Sequence, residues 1–268
     1  MPIARVVLPV AAATAFDYWV PDGAPVVRGS VVRVALGPRR MVGVVTQIVA
    51  ASDVPHDKLQ PLTDVVDVPP LADDVLALAA FVSAYYQEPP GQALALAVPP
   101  LPAGTARTRR HRSVASASAD GAAATVPFNA AQQAAIDAIV AAASAGFSAR
   151  LLFGVTGSGK TDVYMAAAER AIAAGGQVLL LVPEINLTPQ LAERLNAALP
   201  GIDIALLHSG LTPASRRAHW LEAASGRARL VVGTRLAIFA PLPDLALIIV
   251  DEEQDSSYKQ QDNIRYHA

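Results

Sequence analysis

The chain reads as an α/β fold built on a parallel sheet and preceded by a small β-rich domain, and three features predict this. In the second half, five near-continuous apolar runs alternate with helix-length segments: "ARLLFGV", "QVLLLVP", "GIDIALLH", "ARLVVGT" and "LALIIVD". Strands buried on both faces and separated by helices argue for a parallel sheet covered by helices. The first fifty residues differ, being short β-branched runs between turn signals. Between the halves, residues 99–127 are poor in large hydrophobes.

Taken in order, "ARVVLPV", "FDYWVPDG", "GSVVRVALGPRR" and "MVGVVTQIV" have the spacing of strands in a small, strongly bent barrel or sheet. From Leu71 to Val98 the period turns helical, placing Val75, Leu78, Ala79 and Val82 on one face, with "YYQEPPG" as the break. Residues 1–98 thus form a first expected domain. Residues 99–127, rich in Ala, Ser and Thr, cannot bury enough surface to offset their ordering entropy and are expected to be a flexible linker. Its basic run Arg107–Arg112 could touch phosphate or simply be solvated. Residues 128–268 form the second domain. There, Thr188-Pro189 and Thr212-Pro213 each place a hydroxyl at a helix N-cap and a proline at the first helical position.

Composition narrows the function classes. The 268 residues suffice for one or two cores, and a share of 53% hydrophobic but only 5% aromatic suits a soluble globular chain. No uninterrupted apolar run reaches the ~18 residues of a membrane-spanning helix, so no membrane role is expected. The absence of cysteine excludes disulfides and thiolate metal sites within the chain and agrees with a cytoplasmic setting. At a net charge of -2, any nucleic-acid contact must come from local patches. "ARVVLPVAAATA" has the outline of a secretory signal, but Pro9 interrupts it and strand-like alternation continues through "FDYWVP".

The strongest chemical signal is "GVTGSGKT": Gly154, Val155, Thr156, Gly157, Ser158, Gly159, Lys160 and Thr161. It matches G-x-x-x-x-G-K-[ST], placed where the strand "RLLF" is expected to meet the helix "TDVYMAAAERAI". Glycines let the backbone turn successive N–H groups inward, and the helix N-terminus adds its positive end, which suits the phosphates of ATP. Lys160 would reach the β- and γ-phosphates, and the Thr161 hydroxyl would ligate Mg²⁺. "LALIIV" reads as a buried strand delivering Asp251 and Glu252 to the same sheet edge. There Asp251 can hold the Mg²⁺ and Glu252 can polarise the attacking water as general base. Between these motifs, "LLLVPEINLTPQ", "LLHSGL" and "VVGTRLAIFAP" follow strands on that rim, where Thr188, Thr234 and Arg235 could contact a phosphate backbone or serve as caps and turns.

Together and in this order, "LLFGVTGSGKTDVY", "VPEINLTPQ", "LHSGL", "GTRLAIFAP" and "DEEQDSSYKQQDNIRYHA" resemble the first motor lobe of a superfamily 2 helicase, more narrowly the family of primosomal protein N′ (PriA), bacterial replication restart helicases. The N-terminal "LPV", "FDYWVPDG", "GSVVRVALGPRR" and "GVV" resemble that family's domain for the 3′ end of DNA. The resemblance implies a RecA-like P-loop motor lobe and an ATP-dependent 3′ to 5′ DNA helicase. It also implies forked or single-stranded DNA, primosome proteins and single-stranded DNA-binding protein as partners. It makes Gln132 an adenine contact, for which an amide suits the N6 donor and N7 acceptor, although Gln132 also reads as a solvated helix position. The tail with Tyr258, Lys259, Arg265, Tyr266 and His267 resembles an aromatic-rich loop that couples DNA contact to hydrolysis. Phe16, Asp17 and Tyr18 match a pocket for a 3′-hydroxyl, or else form a strand with aromatics packed on the barrel.

Three departures from the family pattern stand out. Position 254 is Gln where the acidic motif usually carries His, which removes a titratable imidazole. A winged-helix domain is expected between the two domains, and residues 99–127 are too short and polar to be one. The family continues past this point with a second motor lobe and zinc-binding cysteines, and no zinc ligands of that kind are present, so the chain is expected to be an N-terminal part with weak hydrolysis of its own. Two other readings remain: a non-enzymatic reader of DNA 3′ ends carrying an inert nucleotide-binding lobe, and a different P-loop ATPase that moves protein or solute.

Overall fold

A computed structural model describes residues 1–101, 127–143, 146–155, 157–184 and 189–268. Most of the expected linker, together with Thr156 and Thr188, lies outside the described residues. The chain divides into two compact units. The first comprises Met1–Leu101, Ile238–Pro241 and Tyr258–Ala268, and the second Pro102–Ala237 and Leu242–Ser257.

In the first unit, β1 (Ile3–Val7), β2 (Phe16–Trp19), β3 (Val31–Leu36), β4 (Arg39–Val49) and β5 (Gln60–Val65) close into a barrel in the order β1-β2-β5-β3-β4. Closure follows from the β-branched runs and two tight devices. Leu36 pairs with Arg39 across Gly37-Pro38, with Gly37 at φ 56, so β3 and β4 form a two-residue hairpin. Gly43 lets β4 pass over β1, because a Cβ there would sit 2.5 Å from Leu8 and Val6 side-chain atoms. A closed barrel leaves no strand edge open. Its core gathers Ala4, Val6, Leu8, Tyr18, Val32, Val34, Val45 and Leu62. The helical segment is α1 (Asp73–Tyr86), burying Val75, Leu76, Ala79 and Val82, followed by α2 (Pro90–Ala95). Leu76 takes the fully buried place expected of Leu78, which is half-buried. Gln87, in the left-handed region at φ 56, ends α1 by returning its N–H to Ser83 O.

The second unit contains α3 (Ala130–Ala143), α4 (Lys160–Ala173), β6 (Gln177–Leu181), α5 (Pro189–Ala198), β7 (Ile204–Leu207), α6 (Pro213–Ala224), β8 (Leu230–Gly233) and β9 (Leu245–Val250). The sheet is parallel throughout, in the order β7-β8-β6-β9. Its core joins Tyr164, Met165, Ala168 and Ile172 of α4 to Val178, Leu180, Leu230 and Val232 of the strands, to Leu195 of α5 and to Leu199 just beyond it. Gln177 is fully buried yet satisfied: its Nε2 donates to Ala223 O and Ala228 O, and its Oε1 accepts from Asp244 N–H. Thr212 caps α6 as expected, its hydroxyl accepting from Ser215 N–H at 3.2 Å with Pro213 in the first turn.

Two expectations need correction. "ARLLFGV" is not a strand: residues 150–155 carry no ladder, and Leu151 and Phe153 are 75% and 91% exposed. β9 is a strand but not a buried one, with Leu245, Ile248 and Val250 exposed and Ile248 at 52%. Both have one physical cause. A strand exists only through a pairing partner, and among the described residues none pairs with the outer edge of β9.

Candidate functional site

The loop before α4 is shaped by its glycines. Gly157 and Gly159 lie at φ 78 and 81, where a side chain would be strained, and a Cβ on Gly154 would meet Ser158 Oγ at 2.6 Å. Gly159 occupies the N-cap of α4, so the following amides open toward the loop as expected of a phosphate cradle. Lys160 Nζ donates to Gly154 O at 2.8 Å and Val155 O at 3.3 Å, folding back over the loop it would open for a phosphate. Gln132 also converges here. Its Nε2 donates to Ser158 O at 3.0 Å, while its Oε1 and N–H exchange hydrogen bonds with the N–H and Oδ1 of Asn129. The structure therefore places the Gln132 amide against the loop at Ser158.

The acidic pair stands at the C-terminal end of β9, where Asp251 N–H donates to Leu181 O at 2.9 Å. Burial first, and then the neighbouring Glu252, push the Asp251 carboxyl above the usual aspartate range, while Tyr164 and Lys160 pull it back. Glu252 itself sits in the left-handed region at φ 48 and accepts from Gln254 Nε2 at 2.7 Å. The residue that replaces the expected histidine is thus a neutral donor to the carboxylate proposed as base.

Sequence reasoning missed Tyr164. This buried side chain lies one turn beyond Thr161 on α4, and its hydroxyl is hydrogen-bonded to both Thr161 and Asp251, with burial pushing its pKa up to about 12. The helical i, i+3 spacing puts it under Thr161, but a tyrosine in an apolar helix face reads as core.

Residues expected to touch DNA are placed unevenly. Thr234 is buried, accepting from Ala237 N–H through its carbonyl. Arg235 Nη1 reaches Glu184 Oε1 at 3.3 Å and Ser257 O at 3.0 Å. In the first unit, Tyr258 is 1% exposed, whereas Lys259 is exposed opposite His267 in the short pair β10 (Lys259–Gln260) and β11 (Tyr266–His267). Arg265 Nε donates to Glu88 Oε1 at 2.8 Å and His267 N–H donates to Tyr86 Oη at 3.1 Å. β2 alternates: Phe16 and Tyr18 pack with the barrel core, the Tyr18 hydroxyl donating to Ala35 O at 2.8 Å. Asp17 faces outward, 3.8 Å from Arg5 Nε and hydrogen-bonded by Ser52 Oγ.

Residues 129–268 match the family described as DEAD/DEAH box helicase, and residues 5–99 match the 3′DNA-binding domain (3′BD) of PriA. The chain belongs to the PriA family of DEAD/DEAH box helicases. The replication restart protein PriA of Haemophilus influenzae is 32% identical over 339 residues, covering all of this chain and 46% of that protein. PriA of Treponema pallidum is 42% identical across 72% of this chain and 28% of its own length, and PriA of Bacillus subtilis 48% identical across 44% and 14%. The chain spans less than half the length of these PriA relatives. Its β-rich first domain and parallel-sheet α/β second domain are those of the family. DEAD/DEAH helicases use ATP with Mg²⁺. The residues present fit that pair: a hydroxyl on the P-loop helix and a carboxylate at a strand end are joined through one shared side chain, Tyr164. Among the described residues no helix is long and apolar enough to cross a membrane.

Proposed function

We propose that this chain binds ATP with Mg²⁺ at Gly154–Thr161 and Asp251, and DNA through its first domain, as the N-terminal part of a 3′ to 5′ replication restart helicase. The observation that carries the reading is the convergence of the P-loop helix and the acidic strand end on Tyr164. Two motifs distant in sequence then serve one ligand. Lys160 is held on the Gly154 and Val155 carbonyls and would exchange them for β- and γ-phosphate oxygens, gaining charge-assisted bonds. Thr161 and Asp251 would hold Mg²⁺, which neutralises phosphate charge when bound. Glu252 would take the proton of the attacking water, with Gln254 fixing one of its oxygens. Gln132, whose amide donates to Ser158 O at the loop, would turn that amide to adenine.

DNA recognition is proposed for Phe16, Asp17 and Tyr18 in β2, for Lys259 in the tail, and for Thr234, Arg235 and Thr188 along the motor loops. Asp17 is the outward member of the β2 trio, and a carboxylate suits a terminal O–H donor better than a phosphate. A winged helix is proposed to be missing between the domains, since residues 99–127 are too short and polar to be one. Primosome proteins and single-stranded DNA-binding protein are proposed partners of the complete helicase, where zinc is expected as well.

The decisive experiment titrates purified protein with a fluorescent ATP analogue in Mg²⁺. Binding is expected in the wild type, and Lys160→Ala should weaken it about tenfold or more, the worth of a lost hydrogen bond to a charged group. Unchanged binding in that variant would overturn the P-loop reading. For DNA, oligonucleotides ending in a 3′-hydroxyl should bind better than those ending in a 3′-phosphate, and Asp17→Ala should erase the difference.

A further inference from the structure

We propose that Arg5 holds the phosphodiester on the 5′ side of a terminal nucleotide while Asp17 beside it receives the 3′-hydroxyl, so that one row of side chains across the barrel strands reads both chemical marks of a DNA 3′ end. The proposal rests on the reading of Asp17 as the acceptor of that hydroxyl.

Strand register sets the row. Arg5 of β1 lies opposite Asp17 of β2 on one side and Gln47 of β4 on the other, and it faces outward because Ala4 and Val6 point into the core. β4 bulges here: Gln47 pairs with Arg5 and Val45 with Val6, which skips Thr46, and the Thr46 hydroxyl donates to Arg5 O at 3.2 Å. Bulges re-aim side chains. This one leaves Gln47 exposed beside Arg5 while Val45 stays in the core.

What singles Arg5 out is an ion pair left open. Elsewhere in this unit, Arg28 closes on Asp73 at 2.7 Å and Arg33 on Asp64 at 2.8 Å. Arg5 Nε instead stands 3.8 Å from Asp17 Oδ1, beyond hydrogen-bonding distance. Each group is steadied by a neutral partner: Arg5 Nη1 donates to Gln47 Oε1 at 3.0 Å, and Ser52 Oγ donates to Asp17 Oδ2. A cation and a carboxylate held side by side but apart suit a ligand that offers an anion next to an O–H donor. The 3′-terminal nucleotide is such a ligand, since its hydroxyl ends the chain and its phosphodiester lies one sugar away. A carboxylate alone would repel that phosphodiester, and Arg5, about one strand spacing of 4.8 Å across the sheet, offsets the repulsion. Its guanidinium also matches phosphate oxygens with a fork of N–H donors.

The test titrates the full chain and its Arg5→Gln variant, the fold of each checked by a melting curve, into single-stranded oligonucleotides labelled at the 5′ end, with fluorescence anisotropy as the readout. One oligonucleotide ends in a 3′-hydroxyl and a second in a 3′-phosphate, while a third ends in a 3′-hydroxyl but carries an uncharged methylphosphonate as its last linkage. The wild type is expected to bind the third about tenfold more weakly than the first, the worth of a lost charged hydrogen bond. Arg5→Gln should bind the first about tenfold more weakly than the wild type does and lose its sensitivity to the neutral linkage. Its salt dependence should fall by about 0.7 in log–log slope, and its preference for the hydroxyl over the 3′-phosphate should remain. A wild type that prefers the hydroxyl yet ignores the neutral linkage would overturn the assignment of Arg5 alone. So would an Arg5→Gln variant that keeps the sensitivity but loses the preference, since Arg5 would then only orient Asp17. A wild type that binds both kinds of end alike would sink the reading of Asp17, and this proposal with it.

Discussion

Asp251 sits where its charge is disfavoured, a cost in stability that the proposed Mg²⁺ role would explain. Its carboxyl is raised above the ordinary value of 3.8 by burial and by Glu252. A raised folded value means that the group contributes stability below the unfolded value, and that this contribution is lost as pH rises through the folded one. At neutral pH the ionised form is therefore a cost. Asp251→Asn is expected to raise the melting temperature at pH 7, with the gain shrinking toward pH 4, while abolishing the Mg²⁺ dependence of nucleotide binding. Thermal melts across pH 3.5–7.5 check the sign, and a variant that melts lower at pH 7 would refute it. At this scale, the glycine loop that ends in Lys160 was legible because a motif fixes its spacing, whereas Gln132 entered only through the family resemblance. Tyr164 was not legible, since only the fold brings α4 under the end of β9. Tyr18 was half-legible: period-two alternation puts Phe16 and Tyr18 on one face and Asp17 on the other, and the barrel decides which is inside.

Elements were legible wherever local pattern and tertiary partner agree. The barrel strands, α4, β6, β7, β8 and the capped start of α6 all follow from apolar periodicity and turn chemistry. The segment before the P-loop has the same β-like composition but no ladder to join, so composition alone misleads there. The tail shows the converse. "IRYHA" read as part of an aromatic-rich loop for DNA, yet Tyr266 is buried with its ring 5.2 Å from that of Phe239, and Arg265 is fastened to Glu88 beyond the end of α1. The side-chain hydrogen bond from Arg265 is the main reason that the Glu88 carboxyl lies below its usual value of 4.5. A depressed value means that the contribution is present above the unfolded value and lost as pH falls through the folded one. Acidification below about pH 4 should therefore loosen Tyr258–Ala268 before the barrel melts. Amide exchange at pH 3.5 against pH 6.5 is the check, and Glu88→Gln should show the loosened pattern already at pH 6.5. Equal protection of the tail at both values would exclude a role for this ion pair.

For the molecule as a whole, the open flank of the sheet in the second unit sets its behaviour in solution. β9 carries exposed Leu245, Ile248 and Val250 along an edge with no strand beside it among the described residues, and Leu151, Phe153 and Val155 are exposed at 75%, 91% and 76%. Unpaired backbone groups next to apolar side chains form a template for another strand, a hazard that edge charges or bulges normally suppress. β9 carries no charge, its six residues being "LALIIV", and its one irregularity lies at its start, where Ala246 is skipped between Leu245 and Leu247. The barrel of the first unit, by contrast, closes its own edges and offers no such template. The chain is therefore expected to self-associate with rising concentration through its second unit. Ile248→Lys should reduce that association by placing a charge on the β9 edge, and Phe153→Lys should reduce it further by removing an exposed ring before the P-loop. A lysine on the closed barrel, as in Thr63→Lys, should leave it unchanged, since Thr63 is already exposed on β5. Light scattering across a concentration series reads the difference. A wild type that stays monomeric at high concentration, or a barrel lysine that dissociates the assembly as well as the edge lysines do, would show that β9 is not the contact.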